Sequence, residues 1–457
     1  MALSPLFETF IENSPICVMA RVILERIFDP GRIDDVFERT AKSGFTRELL
    51  FSSLIHLMGD VVLGVRPSVH AAFQALEEAN AINVSLTAVY NKLNRVEPVV
   101  SAALVRESAF EAGRLIDSLE ARLPAWLPGY RCRILDGNAP SATEHRIEEL
   151  RYTWAAPLPG KILVVLDQER MLAEEVFLTE DGHAGERSLL PDLVNCVQPR
   201  DVWIADRNFC TIPFMFDIHG RGACFAIRQH GSLKGTLVGR RRKIGRGSTG
   251  MVYEQTIALT GRDEGQTLEF RRITVPLTQA TRDGDVEIHI LTNLPQADAD
   301  AVAIAELYRK RWTIETLFAE VTKTLQCEIQ TLGYPKAALL AFCLALQASN
   351  AVAVLKAALR TVHGAEKVQK EVSGYFLSLE IKGVYAGMMI AIPDKHWKPF
   401  RKLPLSKLAA LLIRMARHAK LARYKKHPRG PKKPPPKKTA YKNGGHVSTF
   451  KLINGIE

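Results

Sequence analysis

The chain has no Cys-x-x-Cys pair, and its seven cysteines stand scattered at positions 17, 132, 196, 210, 224, 327 and 343. An odd, unpaired set argues against a disulfide frame and against a structural zinc site, and suits reduced cytosolic thiols. The N-terminus, Met-Ala-Leu-Ser-Pro-Leu-Phe-Glu, lacks the basic and apolar regions of a signal peptide, so export is not expected. Long uncharged runs are also missing, with one exception. The nineteen residues between Lys336 and Lys356 carry no charge, nearly enough to cross a bilayer of ~30 Å. Gln347, Ser349 and Asn350 interrupt them, which favours a buried core helix over a membrane span.

Acidic residues are scarce in one region. From Arg401 onward there are sixteen Lys or Arg and a single acid, Glu457, which leaves 45 of the 61 basic and 48 of the 49 acidic residues upstream. The formal charge of +12 therefore belongs to the tail. Its segment Lys425 to Lys442, which begins Lys-Lys-His-Pro-Arg-Gly-Pro-Lys-Lys-Pro-Pro-Pro, cannot bury enough apolar surface to offset its ordering entropy, so it is expected to be disordered. Such a tail attracts polyanions. The remainder is ample for packed cores: 457 residues, 47% hydrophobic, suggest about three domains of roughly 150 residues each.

Helical patterning dominates residues 1–125, as in Val18 to Ile27, Leu49 to Met58 and Val99 to Leu119, with breaks at Asp29-Pro-Gly and Arg66-Pro67. Within this all-helical part, Asn83 to Arg95 reads as a helix capped by Ser85 that exposes some of Thr87, Tyr90, Asn91, Lys92 and Arg95. It is either a DNA-recognition helix or an ordinary amphipathic helix with a polar outer face.

From about Leu127 the pattern changes to β-branched runs mixed with helices. Arg133 to Asp136 and Asp201 to Asp206 are strands that each stop at an Asp, and Lys161 to Asp167 with Glu174 to Thr179 reads as a hairpin. Strands interspersed with helices indicate an α/β sheet, placed at residues 126–228 and 296–400. Residues 229–295 are rich in Gly and Thr, with strand candidates at Met251 to Leu259, Leu268 to Val275 and Val286 to Leu291, and read as a β-rich insertion. Its loop from Gly239 to Arg246 holds five cations, Arg240, Arg241, Arg242, Lys243 and Arg246, which suit either phosphate contact or plain solvation. Helix returns at Ala299 to Leu332 and Lys336 to Leu359, and residues 401–457 comprise a helix from Leu405 to about Tyr424 and the basic tail.

The chemistry concentrates on three acids. Functional residues of a parallel sheet collect at strand ends, where Asp136 and Asp206 stand. A third, Glu315, lies in Tyr308-Arg-Lys-Arg-Trp-Thr-Ile-Glu315, where Tyr308, Arg311 and Glu315 share one stripe if the stretch is helical. Converging carboxylates suit hard divalent cations such as magnesium, and two such ions ~4 Å apart can serve phosphoryl transfer. Taken singly, each Asp also fits a turn or a cap, and the stripe fits a solvated i to i+4 ion pair.

The blocks Asp136-Gly-Asn, Val202-Trp-Ile-Ala-Asp206-Arg-Asn-Phe-Cys-Thr and Tyr308-Arg-Lys-Arg-Trp-Thr-Ile-Glu315 resemble the three catalytic blocks of bacterial insertion-sequence DDE transposases. They look most like the insertion-sequence-four group, marked by Tyr, two residues, Arg, three residues, Glu, six residues, Lys. The resemblance implies an RNase H-like core with an inserted β-rich subdomain, and cut-and-paste movement of DNA in a bacterial cytoplasm, at the nucleoid. It further implies that Asp136, Asp206 and Glu315 are catalytic and hold two Mg2+ ions, with Mn2+ as a substitute. Tyr308, Arg311, Arg207 and Lys323, with Arg240, Arg241, Arg242 and Lys243, would touch double-stranded DNA, both terminal inverted repeats and target. A homodimer is expected when two ends are paired, and no membrane is involved.

Two departures stand out. The group's Lys falls seven positions after Glu315, but that position is Thr322, and Lys323 comes one later; one step turns a helical side chain by ~100°. Some relatives stack a flipped base on a Trp of the insertion, whereas the Trp residues here are 126, 154, 203, 312 and 397, which leaves Phe270 or Tyr253 as substitutes or as core. Hairpin formation on the DNA end is left open. The competing readings are a non-catalytic DNA-binding relative and a nuclease that cuts without joining; a two-carboxylate glycosidase leaves the basic tail without a role.

Overall fold

The computed structural model describes residues 4–42, 48–140, 147–151, 155–261, 265–281, 284–329, 332–427 and 445–456. Helices come first: α1 (Pro5–Asn13), α2 (Pro15–Ile27), α3 (Pro30–Thr40), α4 (Phe51–Val62), α5 (Val69–Glu78), α6 (Leu86–Leu93) and α7 (Pro98–Ser118). Their starts are written locally. Pro30 follows Asp29, whose carboxylate accepts from the Arg32 N–H, and Ser68 and Ser85 cap α5 and α6 in the same way.

Strands mixed with two helices follow: β1 (Arg131–Asn138), β2 (Ala156–Leu158), β3 (Lys161–Asp167), β4 (Leu172–Thr179), α8 (Leu190–Val194), β5 (Asp201–Ala205), α9 (Ile212–Gly220) and β6 (Cys224–Arg228). Four longer strands follow, β7 (Thr236–Gly247), β8 (Gly250–Thr260), β9 (Thr267–Pro276) and β10 (Glu287–Thr292). The chain returns to helix in α10 (Ala301–Arg309), α11 (Trp312–Thr324), α12 (Pro335–His363), α13 (Ala365–Glu371), α14 (Gly374–Ala391) and α15 (Leu405–Ala416). Near the end, β11 (His446–Ser448) pairs in parallel with β2 and leads into α16 (Thr449–Asn454).

Nine strands make one sheet in the order β4-β3-β1-β5-β6-β10-β9-β8-β7. β4, β3 and β1 are antiparallel neighbours, β1, β5 and β6 run parallel, and β10 to β7 are antiparallel again. The β-rich segment thus continues the central sheet through the β6–β10 pairing. The basic stretch expected as a loop is instead the outer part of β7, an edge strand with bulges near Arg242 and Gly245. Its cations fit that position, because charged side chains keep an exposed edge from pairing with other chains.

Alternation along β1 splits the interior. Ile134 joins the core formed with the N-terminal helices, whereas Leu135 joins the opposite one with Trp203 and Phe225. The first core is continuous from α1–α7 to α12, α14 and α15. Helix α12 is the one described helix long and apolar enough by itself to cross a membrane, and its most apolar window is 89% buried inside the fold. Its buried Asn350 accepts from the Ala173 N–H at 2.9 Å and donates to the Ala173 carbonyl at 3.0 Å, satisfying both backbone groups on edge strand β4.

Three helical expectations change. The stretch from Tyr308 to Lys323 is not one helix: Lys310 and Arg311 bond back only three residues, to Leu307 and Tyr308, and this tight turn separates α10 from α11. The helix expected to reach Leu332 ends at Thr324, and the one expected to reach Tyr424 ends at Ala416. Residues 428–444, most of the tail expected to be disordered, lie outside the described residues.

Candidate active site

Strand register brings the first two acids together. Leu135 of β1 pairs with Ala205, the last residue of β5, and the residues that follow them in the chain are Asp136 and Asp206. Parallel neighbours lie roughly 4.8 Å apart with matched pleats, so both aspartates leave the sheet on one face. Asp206 also opens the turn Arg207–Phe209, with its carbonyl accepting from the Phe209 N–H at 3.0 Å.

The third acid arrives with an arginine. From the turn ahead of α11, Arg311 donates Nη1 to Asp136 Oδ2 at 3.1 Å and Nη2 to Glu315 Oε1 at 2.8 Å. The α10–α11 break swings Arg311 toward the strand ends and keeps its i to i+4 contact with Glu315. Burial raises the Asp136 carboxyl to about 6, and the neighbouring Glu315 and Asp206 add to this against the opposing pull of Arg311. Burial works against the Arg311 charge, yet Tyr308 and the three acids together raise its pKa. Tyr308 is buried with the sheet core, its pKa raised by that burial, and its hydroxyl bonds to Arg311.

Three carboxylates against one guanidinium leave a charge of about −2, which one divalent cation balances, and hard oxygen donors are what magnesium and manganese accept. In this arrangement, however, Arg311 links Asp136 to Glu315, and among the described residues no three Asp, Glu, His or Cys side chains close on one point to hold a metal. The donor chemistry fits the ion, and the protein's own cation occupies an oxygen of two of the three carboxylates.

The other candidate residues divide. Arg207 pairs with Asp285 at 3.4 Å, and Arg228 shares that carboxylate at 2.6 Å. On β7, Arg240, Arg242 and Lys243 are exposed, whereas Arg241 pairs with Glu287 at 2.8 Å and covers the Tyr253 ring at 4.3 Å. Phe270 is core, packed against Phe216 and Phe225. Thr322 is exposed on α11, and the Lys323 side chain lies outside the described residues. On α6, Thr87 and Asn91 are exposed, as is Arg95 in the turn just past its end, whereas Lys92 turns inward to bond the Leu49 carbonyl.

Sequence reasoning passed over two features. Trp312 is 62% exposed beside Arg311, a large indole in solvent at the rim of the site. Glu186 and Arg187 reach the same rim from the turn before α8, and both bond to Asn208, two residues after Asp206. No motif flags that dipeptide; Gly137 beside Asp136 was the available signal, since it leaves room for the Glu186 carboxylate.

Residues 128–350 match the family model of a transposase DDE domain, a span that contains Asp136, Asp206 and Glu315. Among solved structures the chain is similar to a piggyBac transposase, seen by cryo-EM in a synaptic complex with hairpin DNA. The identity is 10% and the TM-score 0.41, over 88% of this chain and 84% of that one. No curated protein matches the chain.

Proposed function

We propose that this protein is a DDE transposase that cuts and rejoins DNA at the ends of an insertion sequence. The observation that carries the reading is the register-matched exit of Asp136 and Asp206 from β1 and β5, with Glu315 tied to Asp136 through Arg311. The match of residues 128–350 to a transposase DDE domain supports it. So does the strand order β4-β3-β1-β5-β6, two antiparallel steps and then two parallel ones, which suits an RNase H-like core with β7 to β10 as its insertion.

In this reading Asp136, Asp206 and Glu315 hold Mg2+ or Mn2+. A pair of such ions, when bound, lowers the pKa of an attacking water and stabilises the leaving oxygen of a phosphodiester. Partial burial of Asp136 strengthens the charge interactions at its carboxylate. Arg311, backed by Tyr308, offers a charged fork to a backbone phosphate. Arg240, Arg242 and Lys243 grip the duplex further out, on the β7 edge, and α6 with the turn after it presents Thr87, Asn91 and Arg95 to it. Two protomers would pair two ends.

The test is cleavage and strand transfer of a linear duplex carrying the DNA that flanks this reading frame, with Mg2+, for the wild type, Asp206→Ala and Glu315→Ala. Loss of both reactions in both variants is expected. Undiminished cutting would sink the assignment, end binding indifferent to metal and to these residues would indicate a non-catalytic relative, and cutting without joining would indicate a nuclease.

A further inference from the structure

Glu186 and Arg187 lie outside every block that carries the proposed chemistry, yet they touch both strand ends that supply it. They open a single turn, Glu186–Leu189, whose last residue and the following Leu190 are buried in the core with Leu135 and Ala205. That anchoring fixes where the two polar side chains start. The Glu186 carboxylate accepts from Asn208 Nδ2, and Arg187 Nε donates to the Asn208 backbone oxygen at 2.5 Å. Asn208 is the middle residue of the turn that Asp206 opens, so the dipeptide holds that turn by side chain and backbone together.

The same carboxylate also meets β1. A Cβ placed on Gly137 would run into Glu186, so the missing side chain beside Asp136 is the space the carboxylate fills. Gly137 faces away from the Asp136 side chain by strand alternation. Glu186 therefore braces the rim from behind, one residue past Asp136 and two past Asp206.

We propose that Glu186 and Arg187 are positioning residues that set the spacing of the two strand-end aspartates, with Glu186 acting as a hydrogen-bond acceptor and spacer. The proposal rests on the transposase reading for its substrate, but only on phosphodiester cutting for its test. Placement errors of about 1 Å cost catalysis on the order of 100-fold, far more than they cost binding.

The experiment compares the full-length wild type with Glu186→Ala, Glu186→Gln, Gly137→Ala and Arg187→Ala. Two readouts are taken: Mn2+-supported nicking of a supercoiled plasmid, and Mg2+-supported cutting of the end duplex. Melting temperature and duplex affinity are measured alongside. Glu186→Ala and Gly137→Ala should lower the rate constant by about tenfold or more, with duplex affinity within about twofold and melting unchanged. Glu186→Gln, which keeps an acceptor for Asn208, should recover to within about threefold of the wild type. Arg187→Ala should fall between. A Glu186→Ala protein that cuts at the wild-type rate overturns the proposal, as does a Gln variant no better than Ala, which would make the charge itself the active element. A wild type that nicks plasmid without preference for the ends counts against the transposase reading alone, because the Glu186 series is still read by nicking. A wild type that cuts neither DNA overturns both.

Discussion

The Arg311 guanidinium reaches Asp136 Oδ2 across 3.1 Å, although the two residues are 175 positions apart in the chain. The same side chain holds Glu315 at 2.8 Å, so one fixed cation stands between two acids that are proposed to share a metal. A guanidinium and a divalent ion satisfy the same oxygens, and the two should compete. Arg311→Gln should therefore bind Mn2+ about fivefold or more tightly than the wild type in the absence of DNA, yet cut DNA on the order of 100-fold more slowly. Titration followed by electron paramagnetic resonance checks the first part. Equal Mn2+ affinity would mean that the carboxylates hold the ion without displacing the arginine.

The β7 cations are expected to separate by role. Replacing Arg240, Arg242 and Lys243 together by Ala should weaken duplex binding for every sequence, and should lower the slope of log affinity against log salt by about 2–3. Arg241→Ala removes an ion pair with Glu287 and the cover over Tyr253. Its main effect should be on the fold, at about 0.5–1 kcal/mol. Fluorescence anisotropy at several salt concentrations, with thermal melts in parallel, distinguishes the two outcomes.

Asn350 offers a stability test away from the site. Asn350→Leu keeps the branched four-heavy-atom side chain but leaves the Ala173 N–H and carbonyl without their partner, and strips Ser108 of a donor at 3.2 Å. Urea unfolding should show a loss of about 2–4 kcal/mol. A loss below about 0.5 kcal/mol would show that β4 finds other partners for these groups.

An ion cluster in which Arg133 meets Asp167, Glu174 and Asp201 should make stability pH-dependent. Burial raises Glu174 to about 7, and the Asp167 and Asp201 carboxylates add to this, with Arg133 at 2.8 Å opposing. A carboxyl raised in the folded state is ionised only at a cost. That cost is absent below the unfolded value near 4.3 and grows as pH rises through about 7. Glu174→Gln should thus melt with the wild type at pH 4 and above it at pH 8, by up to about 3 kcal/mol. A constant offset between the two melting curves across this range would count against the assignment.

Much of the fold was legible locally. The spans of α2, α4, α7 and α12, and of β3, β8 and β9, follow hydrophobic period, proline position and β-branched content. The misread pieces share a cause. The basic stretch of β7 carries no apolar alternation because both its faces are exposed, so its strand character comes from pairing with β8. The turn between α10 and α11 has no Gly or Pro to announce it; Arg311 and the buried Tyr308 favour it through contacts with distant strands.

By itself the sequence singled out Asp136, Asp206 and Glu315 as the candidate acids, since they stand in short blocks whose residue types and order are readable without coordinates. It also located the excess of positive charge. Only the tertiary structure decided how those acids meet. Register between β1 and β5 sets the two aspartates side by side, Arg311 stands between Asp136 and Glu315, and Glu186 reaches Gly137 and Asn208 from a turn no motif marks. The physical reason is that periodicity and turn chemistry report a residue's near neighbours, whereas ion pairs and strand register join residues that only folding brings within a few ångströms.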